Sequence, residues 1–333
     1  MKRRILNQGL AAMLAAPALS LGSSLARAQG AEKLRVRLDF SPWGMHAAMH
    51  LALQKGLFKA QGLDVEVQDG TGTISTLQLL AAGQVDIGQV ALGTMAVAKE
   101  NGLDLVSIAG FARTGDLAVL VDETQGVKTP KDLTGKKLVC FTTSPWAPFI
   151  EPFLKANGMS KSSINLVMVA PSAMISTYAS ANSDGFLSQA PFGQPMVLKA
   201  RKASALLLGD SGISFPSYGL AVTPKALESR REAIARFVQV QVRAWQYIYD
   251  GHIDEAVAAV VAQRPNARLD PEVLRGQIVA YRPLFASPRT KTQPFGLQSD
   301  ADWSAAIRSM EQTGQIKPGH KPSDYYTNAL LAV

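Results

Sequence analysis

The chain has 333 residues, of which 47% are hydrophobic and 18% are charged, a composition that is typical of a folded protein and excludes a disordered one. The length exceeds what one hydrophobic core usually holds, so it favours one large α/β domain or two lobes. The formal net charge is +8, but no stripe of Lys and Arg interleaved with aromatic residues is present, so nucleic acid is not expected as a partner.

The first 28 residues have the pattern of a secretory signal peptide. Residues 2–4 are basic, residues 10–21 are apolar, and residues 26–28 read Ala-Arg-Ala, a small-x-small cleavage pattern. We predict cleavage after about Ala28, which leaves a net charge of +4. No cysteine follows to carry a lipid, and no later apolar run reaches the roughly 18 residues of a membrane span. The sequence therefore predicts a periplasmic monomer with no direct membrane insertion.

The next part of the chain alternates strand and helix patterns. Alternating apolar and polar residues predict strands at 34–38, 63–67 and 85–87. Helical periodicity predicts helices at 47–55 and 76–82. This alternation indicates an α/β fold with mainly parallel sheets covered by helices.

A second unit with the same order starts near residue 121. Strands are predicted at 137–141, 165–169 and 185–187, with a helix at 149–157. From about residue 224 the pattern is nearly all helical. We therefore predict a first lobe of residues 29–120 plus 221–333 and a second lobe of residues 121–220.

Motifs of catalysis and metal binding are weak. The one cysteine, Cys140, lies in an apolar run and is expected to be a buried thiol. His46 and His50 are four residues apart on a predicted helix, but a zinc site needs about four ligands and only two other histidines exist. No P-loop, triad spacing or nucleophile elbow is present. We predict no metal, no cofactor and no enzymatic activity.

Four stretches carry a resemblance to a known family. They are residues 39–46 (DFSPWGMH), residues 52–65 (ALQKGLFKAQGLDV), residues 80–88 (LAAGQVDIG) and residues 132–138 (DLTGKKL). In this order they resemble the bacterial family of nitrate, sulfonate, taurine and thiamine-pyrimidine binding proteins. The resemblance implies a type II periplasmic binding protein, with two α/β lobes that close by a hinge on a ligand in the cleft between them. It also implies an ABC permease and ATPase complex of the inner membrane as partners.

The loops after the predicted strands collect polar and aromatic residues, and ligands bind beyond the carboxyl ends of parallel strands. A glycine-bearing loop at 70–76 also opens a helix and offers N–H groups to an anion or a carbonyl oxygen. The candidate ligand-binding residues are Ser41, Trp43, His46, Thr73, Ser75, Gln89, Arg113, Ser144, Trp146, Gln189 and Tyr218.

Three of these candidates have a second interpretation. Trp43 and Trp146, one in each lobe, predict an aromatic clamp on a flat ligand, or else each of them covers the core of its lobe. Arg113 offers a guanidinium to a carboxylate or sulfonate, or else it forms a surface ion pair with Asp116.

Two departures from the family bear on the ligand. Pyrimidine-binding relatives have Asn in the first loop, where this chain has Ser-Pro-Trp-Gly, and many members have Glu before a proline where this chain has Ala190-Pro191. We therefore expect a small organic anion, a sulfonate or carboxylate, including an aromatic one. The alternatives are a pyrimidine resembling a thiamine precursor and, in another class, an enzyme related to thiamine-pyrimidine synthesis. Against the enzyme, Cys140 stands without the cysteine cluster of those relatives.

Overall fold

Two five-stranded sheets organise residues 30–331, which the computed structural model describes; the predicted signal peptide lies outside this range. The first sheet contains β1 (Glu32–Arg37), β2 (Leu63–Gln68), β3 (Ile87–Ala91), β4 (Val106–Gly110) and β10 (Tyr218–Val222). The second contains β5 (Leu117–Asp122), β6 (Lys137–Cys140), β7 (Asn165–Met168), β8 (Gly185–Gln189) and β9 (Ala203–Leu207).

The strand order is the same in both sheets. It is β2-β1-β3-β10-β4 in the first and β7-β6-β8-β5-β9 in the second. The first three strands of each sheet are parallel, whereas β10 and β5 run antiparallel to both of their neighbours. The sheets are therefore mixed rather than purely parallel. In each sheet the antiparallel strand, β10 or β5, is the one that the chain forms directly after it crosses over from the other sheet.

Twelve helices are described. Those of the first half are α1 (Ala47–Gln54), α2 (Leu57–Ala60), α3 (Thr73–Ala81), α4 (Leu92–Glu100), α5 (Ile150–Ala156) and α6 (Met174–Ala179). Those of the second half are α7 (Ala190–Val197), α8 (Pro224–Ser229), α9 (Arg231–Tyr249), α10 (Ile253–Gln263), α11 (Pro271–Tyr281) and α12 (Asp300–Gln312). None of these helices is long and apolar enough to cross a membrane.

Burial explains why the elements form where they do. Every residue of β3 and β8 is buried, as expected for central strands covered on both faces. The long helix α9 instead buries one stripe, which includes Ala233, Phe237 and Val240 at helical spacing. Cys140 at the end of β6 is fully buried, and this burial raises the pKa of its thiol to about 11.

Two chain segments join the sheets, residues 111–116 and residues 208–217. They are hydrogen-bonded to each other, since the Ser217 N–H donates to the Ala112 carbonyl at 2.8 Å and the Phe111 N–H donates to the Tyr218 carbonyl at 2.8 Å. β5 begins four residues before the predicted lobe boundary at 121, and β10 begins three residues before the one at 221. The division into lobes of residues 29–120 plus 221–333 and residues 121–220 stays a prediction.

Candidate functional site

The candidate site is a cavity between the two sheets, which we call the inner cavity. Asp39 and Trp43 follow β1, Ser144 follows β6, and Gln189 ends β8. Tyr218 begins β10, and because β10 runs antiparallel to β3 its first residue lies at the same edge of the sheet. The carboxyl ends of the parallel strands of both sheets thus face one space, the usual place for a ligand in open α/β sheets.

Five aromatic rings, contributed by both lobes, belong to the described wall of the inner cavity. The ring centroid of Trp43 lies 5.2 Å from that of Phe192 and 5.4 Å from that of Tyr218, both edge to face, and Phe40 lies 5.6 Å from Phe141. Within its walls about 340 Å³ is free of protein atoms, a volume that includes space open to solvent. The aromatic rings of the wall suit a flat ring.

The carboxylate of Asp39 is buried at the base of this wall. Its Oδ1 lies 2.8 Å from His46 Nε2 and 3.3 Å from Trp43 Nε1, and its Oδ2 accepts the Tyr218 hydroxyl at 2.5 Å. Three donors of the protein therefore occupy both oxygens. Asp39 orients Trp43 and Tyr218 rather than offering a free charge to a ligand.

Tyr218 links the two lobes through its hydroxyl group. Burial, followed by the negative charge of Asp39, raises the pKa of Tyr218 well above its usual value, so the phenol stays protonated and donates to Asp39. The same hydroxyl accepts from Gln189 Nε2 at 2.6 Å. Since Gln189 belongs to the second sheet and Asp39 follows the first, this chain of hydrogen bonds crosses the cleft.

The remaining polar groups of the wall are neutral. Ser188 Oγ is buried and has no hydrogen-bond partner among the described residues, whereas Ser144 Oγ accepts from the Trp146 N–H at 3.2 Å. Within residues 30–331, no Lys, Arg or His lines the inner cavity. Asp39 is the ionisable carboxyl group of the described wall, and His46 Nε2 lies 2.8 Å from its Oδ1 on the side away from the cavity.

A second buried carboxylate lies next to the segments that join the sheets. Asp116 Oδ2 accepts the Tyr281 hydroxyl, and the Tyr281 ring packs 5.4 Å from Trp43. Burial raises the pKa of Asp116 to about 6, and hydrogen bonds to its side chain lower it only in part. This carboxyl group titrates close to neutral pH immediately behind the aromatic wall.

The lobes are in direct contact beside the cavity. Thr143 Oγ1, in the second lobe, donates to the Thr71 carbonyl at 2.6 Å, and the Thr143 carbonyl accepts the Ile74 N–H at 3.3 Å. Thr94 Oγ1 in α4 donates to the Pro145 carbonyl at 3.0 Å. The N–H groups of Gly70 and Gly72 donate to the Phe40 and Asp39 carbonyls of the first lobe, so the Ile74 N–H is the one in this stretch that is seen to meet the other lobe. The contacts between the lobes describe a closed cleft.

Four of the sequence-predicted residues line the inner cavity: Trp43, Ser144, Gln189 and Tyr218. Ser41 lies outside it, on the rim of the cleft. His46 is fully buried behind the wall, where its ring nitrogen meets Asp39 rather than the cavity.

Three other predicted residues bond to the protein itself. Thr73 Oγ1 accepts the Ala91 N–H at 3.5 Å, and Ser75 Oγ donates to the Gly72 carbonyl at 2.9 Å. Gln89 Nε2 donates to the Met45 carbonyl at 2.7 Å. These side chains hold the first loop and the start of α3 in place. Because they are engaged in these contacts, they do not line the cavity even though they follow strands.

The structure does not bring Arg113 or Trp146 into the cavity wall. The guanidinium of Arg113 donates to the carbonyls of Thr290 and Pro294, so it neither faces the ligand space nor pairs with Asp116. Trp146 is fully buried, its Nε1 donates to the Ser188 carbonyl at 2.9 Å, and its ring packs on Phe153. The second lobe supplies Phe141 and Phe192 to the wall, and the buried position of Trp146 agrees with the second interpretation, in which it covers the core of its lobe.

Sequence reasoning missed Asp39, Phe40, Phe141, Met174 and Ser188 among the lining residues. Asp39 had a usable signal, since an acidic residue directly after an apolar strand is costly to bury without a purpose. The aromatic residues gave no such signal, because Phe next to a strand is equally common in a core.

The two histidines at the start of α1, His46 before it and His50 within it, each contact another side chain of the protein. Burial lowers the pKa of His50 to about 4, and its Nδ1 lies 3.2 Å from Gln263 Oε1. In the part of the chain that the structure describes, no group of three or more His, Cys, Asp or Glu residues is placed to hold a metal ion.

The fold defines the class of protein. The alkanesulfonate-binding protein SsuA from Xanthomonas axonopodis pv. citri, solved with bound MOPS, is similar to this chain with a TM-score of 0.67 and 15% identity, over 89% of this chain and 98% of that one. Nitrate-binding NrtA from Synechocystis PCC 6803 gives a TM-score of 0.63 and 14% identity, over 90% and 86%. This chain therefore has the two-lobed fold of the periplasmic solute-binding proteins.

The sequence assigns the chain to a family within that class. The NMT1/THI5-like family pattern matches residues 43–252, so the chain belongs to this family. It is 23% identical over 283 residues to the formylaminopyrimidine-binding protein of Halalkalibacterium halodurans, covering 83% of this chain and 84% of that protein.

Proposed function

We propose that this protein is a periplasmic receptor that holds the flat, uncharged ring of a small heterocyclic ligand between its lobes and delivers the ligand to an ABC importer. The observation that carries the proposal is the inner cavity, with rings of both lobes around it and no cationic side chain in its described wall. Aromatic rings bind a flat ligand through edge and face contacts, and the hydroxyl of Ser188 is free to orient it.

The same wall favours a neutral ring over the organic anion that we expected from the sequence. An anion would lie beside the carboxylate of Asp39 with no Lys or Arg to offset the repulsion. The loop before α3, the other expected anion site, meets the Thr143 carbonyl instead. The relative that binds a formylaminopyrimidine supports this choice of ligand class.

The importer is part of the proposal by analogy with the class. The class to which the fold belongs supports permease and ATPase subunits as partners, and the pattern of the first 28 residues supports export. The relatives include both binding proteins and enzymes. The Saccharomyces cerevisiae 4-amino-5-hydroxymethyl-2-methylpyrimidine phosphate synthase THI5 is 31% identical over 108 residues, but this match covers only 32% of each chain. A relative that matches 83% of the chain is a binding protein, which supports a receptor rather than an enzyme.

A thermal-shift and calorimetry panel tests the proposal. The chain from residue 29 onward is tested with 4-amino-5-hydroxymethyl-2-methylpyrimidine, a formylaminopyrimidine, MOPS and nitrate. A ligand at about 100 times its dissociation constant should stabilise the folded protein by about 2.7 kcal/mol. We expect a pyrimidine to raise the melting temperature and MOPS and nitrate to leave it unchanged. Stabilisation by MOPS or nitrate alone would contradict the neutral-ring proposal.

A further inference from the structure

A second cavity lies at the mouth of the cleft, and we call it the outer cavity. It holds about 1,160 Å³ of space, including its open mouth. Its residues come from both sides of the cleft: Ser41, Arg268 and Leu274 from the side of the first sheet, and Ser172 and Met196 from the side of the second. It is thus formed by closure, as the inner cavity is.

Three aromatic residues belong to the walls of both cavities: Phe40, Trp43 and Phe192. The ring centroid of Phe192 lies 5.9 Å from that of Phe40 and 5.2 Å from that of Trp43. Phe192 is on α7 of the second lobe, whereas the other two follow β1 of the first. The partition therefore separates when the lobes separate, and a ligand that enters the open cleft can extend across it before the rings close.

The polar groups of the outer cavity differ from those of the inner one. The side chains of Ser41, Ser172 and Arg268 are exposed and make no side-chain hydrogen bond or ion pair to any other described residue. The carboxylate of Asp270 is already engaged, since it caps α11 at the Glu272 N–H at 2.9 Å and lies 3.2 Å from Lys199 Nζ. Among the described residues that line it, the outer cavity therefore presents one free cation and two free hydroxyls.

This charge pattern is the reverse of that in the inner cavity, where a carboxylate is buried and no cation is present in the described wall. We infer that the outer cavity is a second subsite of the same ligand, and that it takes a short arm ending in a carboxylate, sulfonate or phosphate. The neutral ring occupies the inner cavity and the anionic end meets Arg268 with Ser41 and Ser172. The inference rests on the proposed function, since the ring must first be held inside.

Matched pairs of probes test the inference by calorimetry at low salt. One pair is 4-amino-5-hydroxymethyl-2-methylpyrimidine and its phosphate ester; the other is 3-phenylpropanol and 3-phenylpropane-1-sulfonate. Each pair shares a ring and differs at the end of the arm. We expect the anionic member to bind about tenfold more tightly, the equivalent of about 1.4 kcal/mol, and the difference to shrink as salt is added.

The variant Arg268→Gln tests the outer subsite alone, because it removes the positive charge of the outer cavity and leaves the inner cavity unaltered. It should abolish the preference for the anionic member while leaving the affinity of the neutral member unchanged. Arg308→Gln is the matched control, because Arg308 is an exposed arginine on α12 that lines neither cavity, and it should retain the preference.

The possible outcomes distinguish this inference from the proposed function. Equal affinity for both members of each pair would overturn the outer subsite, and so would a preference for the anionic member that persists in Arg268→Gln. In either case, binding of the neutral probes would still support the inner site. Failure of all four probes to bind counts against the neutral-ring function and against the subsite that depends on it.

Discussion

Ser188 and Ser144 both line the inner cavity, and their hydroxyl groups are in two different states. Ser188 Oγ is buried without a partner, and Ser144 Oγ accepts a backbone N–H. A buried polar group without a partner is destabilising, whereas a satisfied one contributes about 1 kcal/mol. Substituting each serine in turn therefore distinguishes a hydroxyl group that is available to a ligand from one that stabilises the fold.

We predict opposite effects of the two alanine substitutions on the ligand-free protein. Ser188→Ala should leave the free energy of unfolding unchanged or raise it by up to about 1 kcal/mol, and should weaken ligand binding about tenfold if the ligand uses this hydroxyl. Ser144→Ala, the matched control, should lower the free energy of unfolding by about 1 kcal/mol. Urea denaturation and calorimetry measure both. Equal loss of stability in the two variants would show that Ser188 has a partner within the fold.

Asp116 predicts a dependence of stability on pH. Burial raises its pKa in the folded state to about 6, above the usual value of 3.8. The folded state therefore binds the proton more tightly, and stability falls as pH rises from about 4 to about 6, by up to about 3 kcal/mol from this group. Asp116→Asn keeps an acceptor for Tyr281 and removes the titration.

The measurement is the difference between the two proteins, because other carboxyl groups titrate in both. In urea denaturation at pH 5 and pH 7.5, Asp116→Asn should gain stability relative to the unaltered protein at the higher pH. Two pH profiles that run parallel would show that Asp116 has an ordinary pKa.

At the scale of elements, the loop before α3 has a different role from the one that its sequence suggests. Glycine and threonine residues before a helix indicate an anion site, but the Ile74 N–H here meets the Thr143 carbonyl of the opposite lobe. Gly72 has φ +134°, and a Cβ at this position would overlap Thr143. The loop is therefore a contact surface for closure.

Gly72→Ala should block closure of the cleft. The added methyl group would clash with Thr143 only in the closed form, so ligand affinity should fall by at least about tenfold, one decade for each 1.4 kcal/mol by which closure becomes less favourable. Gly83→Ala is the control, since Gly83 also has a positive φ, +70°, but nothing lies within 4 Å of its added Cβ.

Calorimetry should therefore show normal affinity for the control and weak affinity for Gly72→Ala. The control should lose about 1 kcal/mol of stability from backbone strain alone. Equal affinities in the two variants would mean that ligand binding does not require the contact at Thr143.

The sequence predicts the elements better than it predicts the orientation of their side chains. Residues 47–55 were predicted as a helix and α1 spans Ala47–Gln54, because local periodicity and the following glycine decide where a helix ends. Trp43 and Trp146 have equivalent positions after strands, yet only Trp43 lines the cavity. The difference lies in a tertiary contact, the hydrogen bond from Trp146 to the Ser188 carbonyl, which no local pattern encodes.

At the scale of the whole molecule, the exchange of β5 and β10 between the sheets predicts a hinge at the two joining segments. The two joining segments lie side by side and are hydrogen-bonded to each other, so the sheets can rotate about a single axis there. The parallel part of each sheet follows from the alternating patterns along the chain. The antiparallel strand of each sheet cannot be predicted from these patterns, because it pairs with a segment about 70 or more residues away in the chain.

Hinge closure predicts a change in overall dimensions. The radius of gyration measured by small-angle X-ray scattering should decrease when a saturating pyrimidine ligand is added to the unaltered protein. The ligand-free Gly72→Ala variant should have the larger, open dimensions, and added ligand should reduce them less. Identical scattering with and without ligand would contradict closure by a hinge.

The buried Cys140 makes the molecule convenient as an optical sensor. It is the one thiol of the chain, and its burial and its raised pKa of about 11 keep it from reacting with maleimide dyes at neutral pH. A cysteine introduced at Met196, on the rim of the outer cavity, would then carry a single environment-sensitive fluorophore without any need to remove the native sulfur. Its emission would follow the uptake of solute directly, in solution and without a second label.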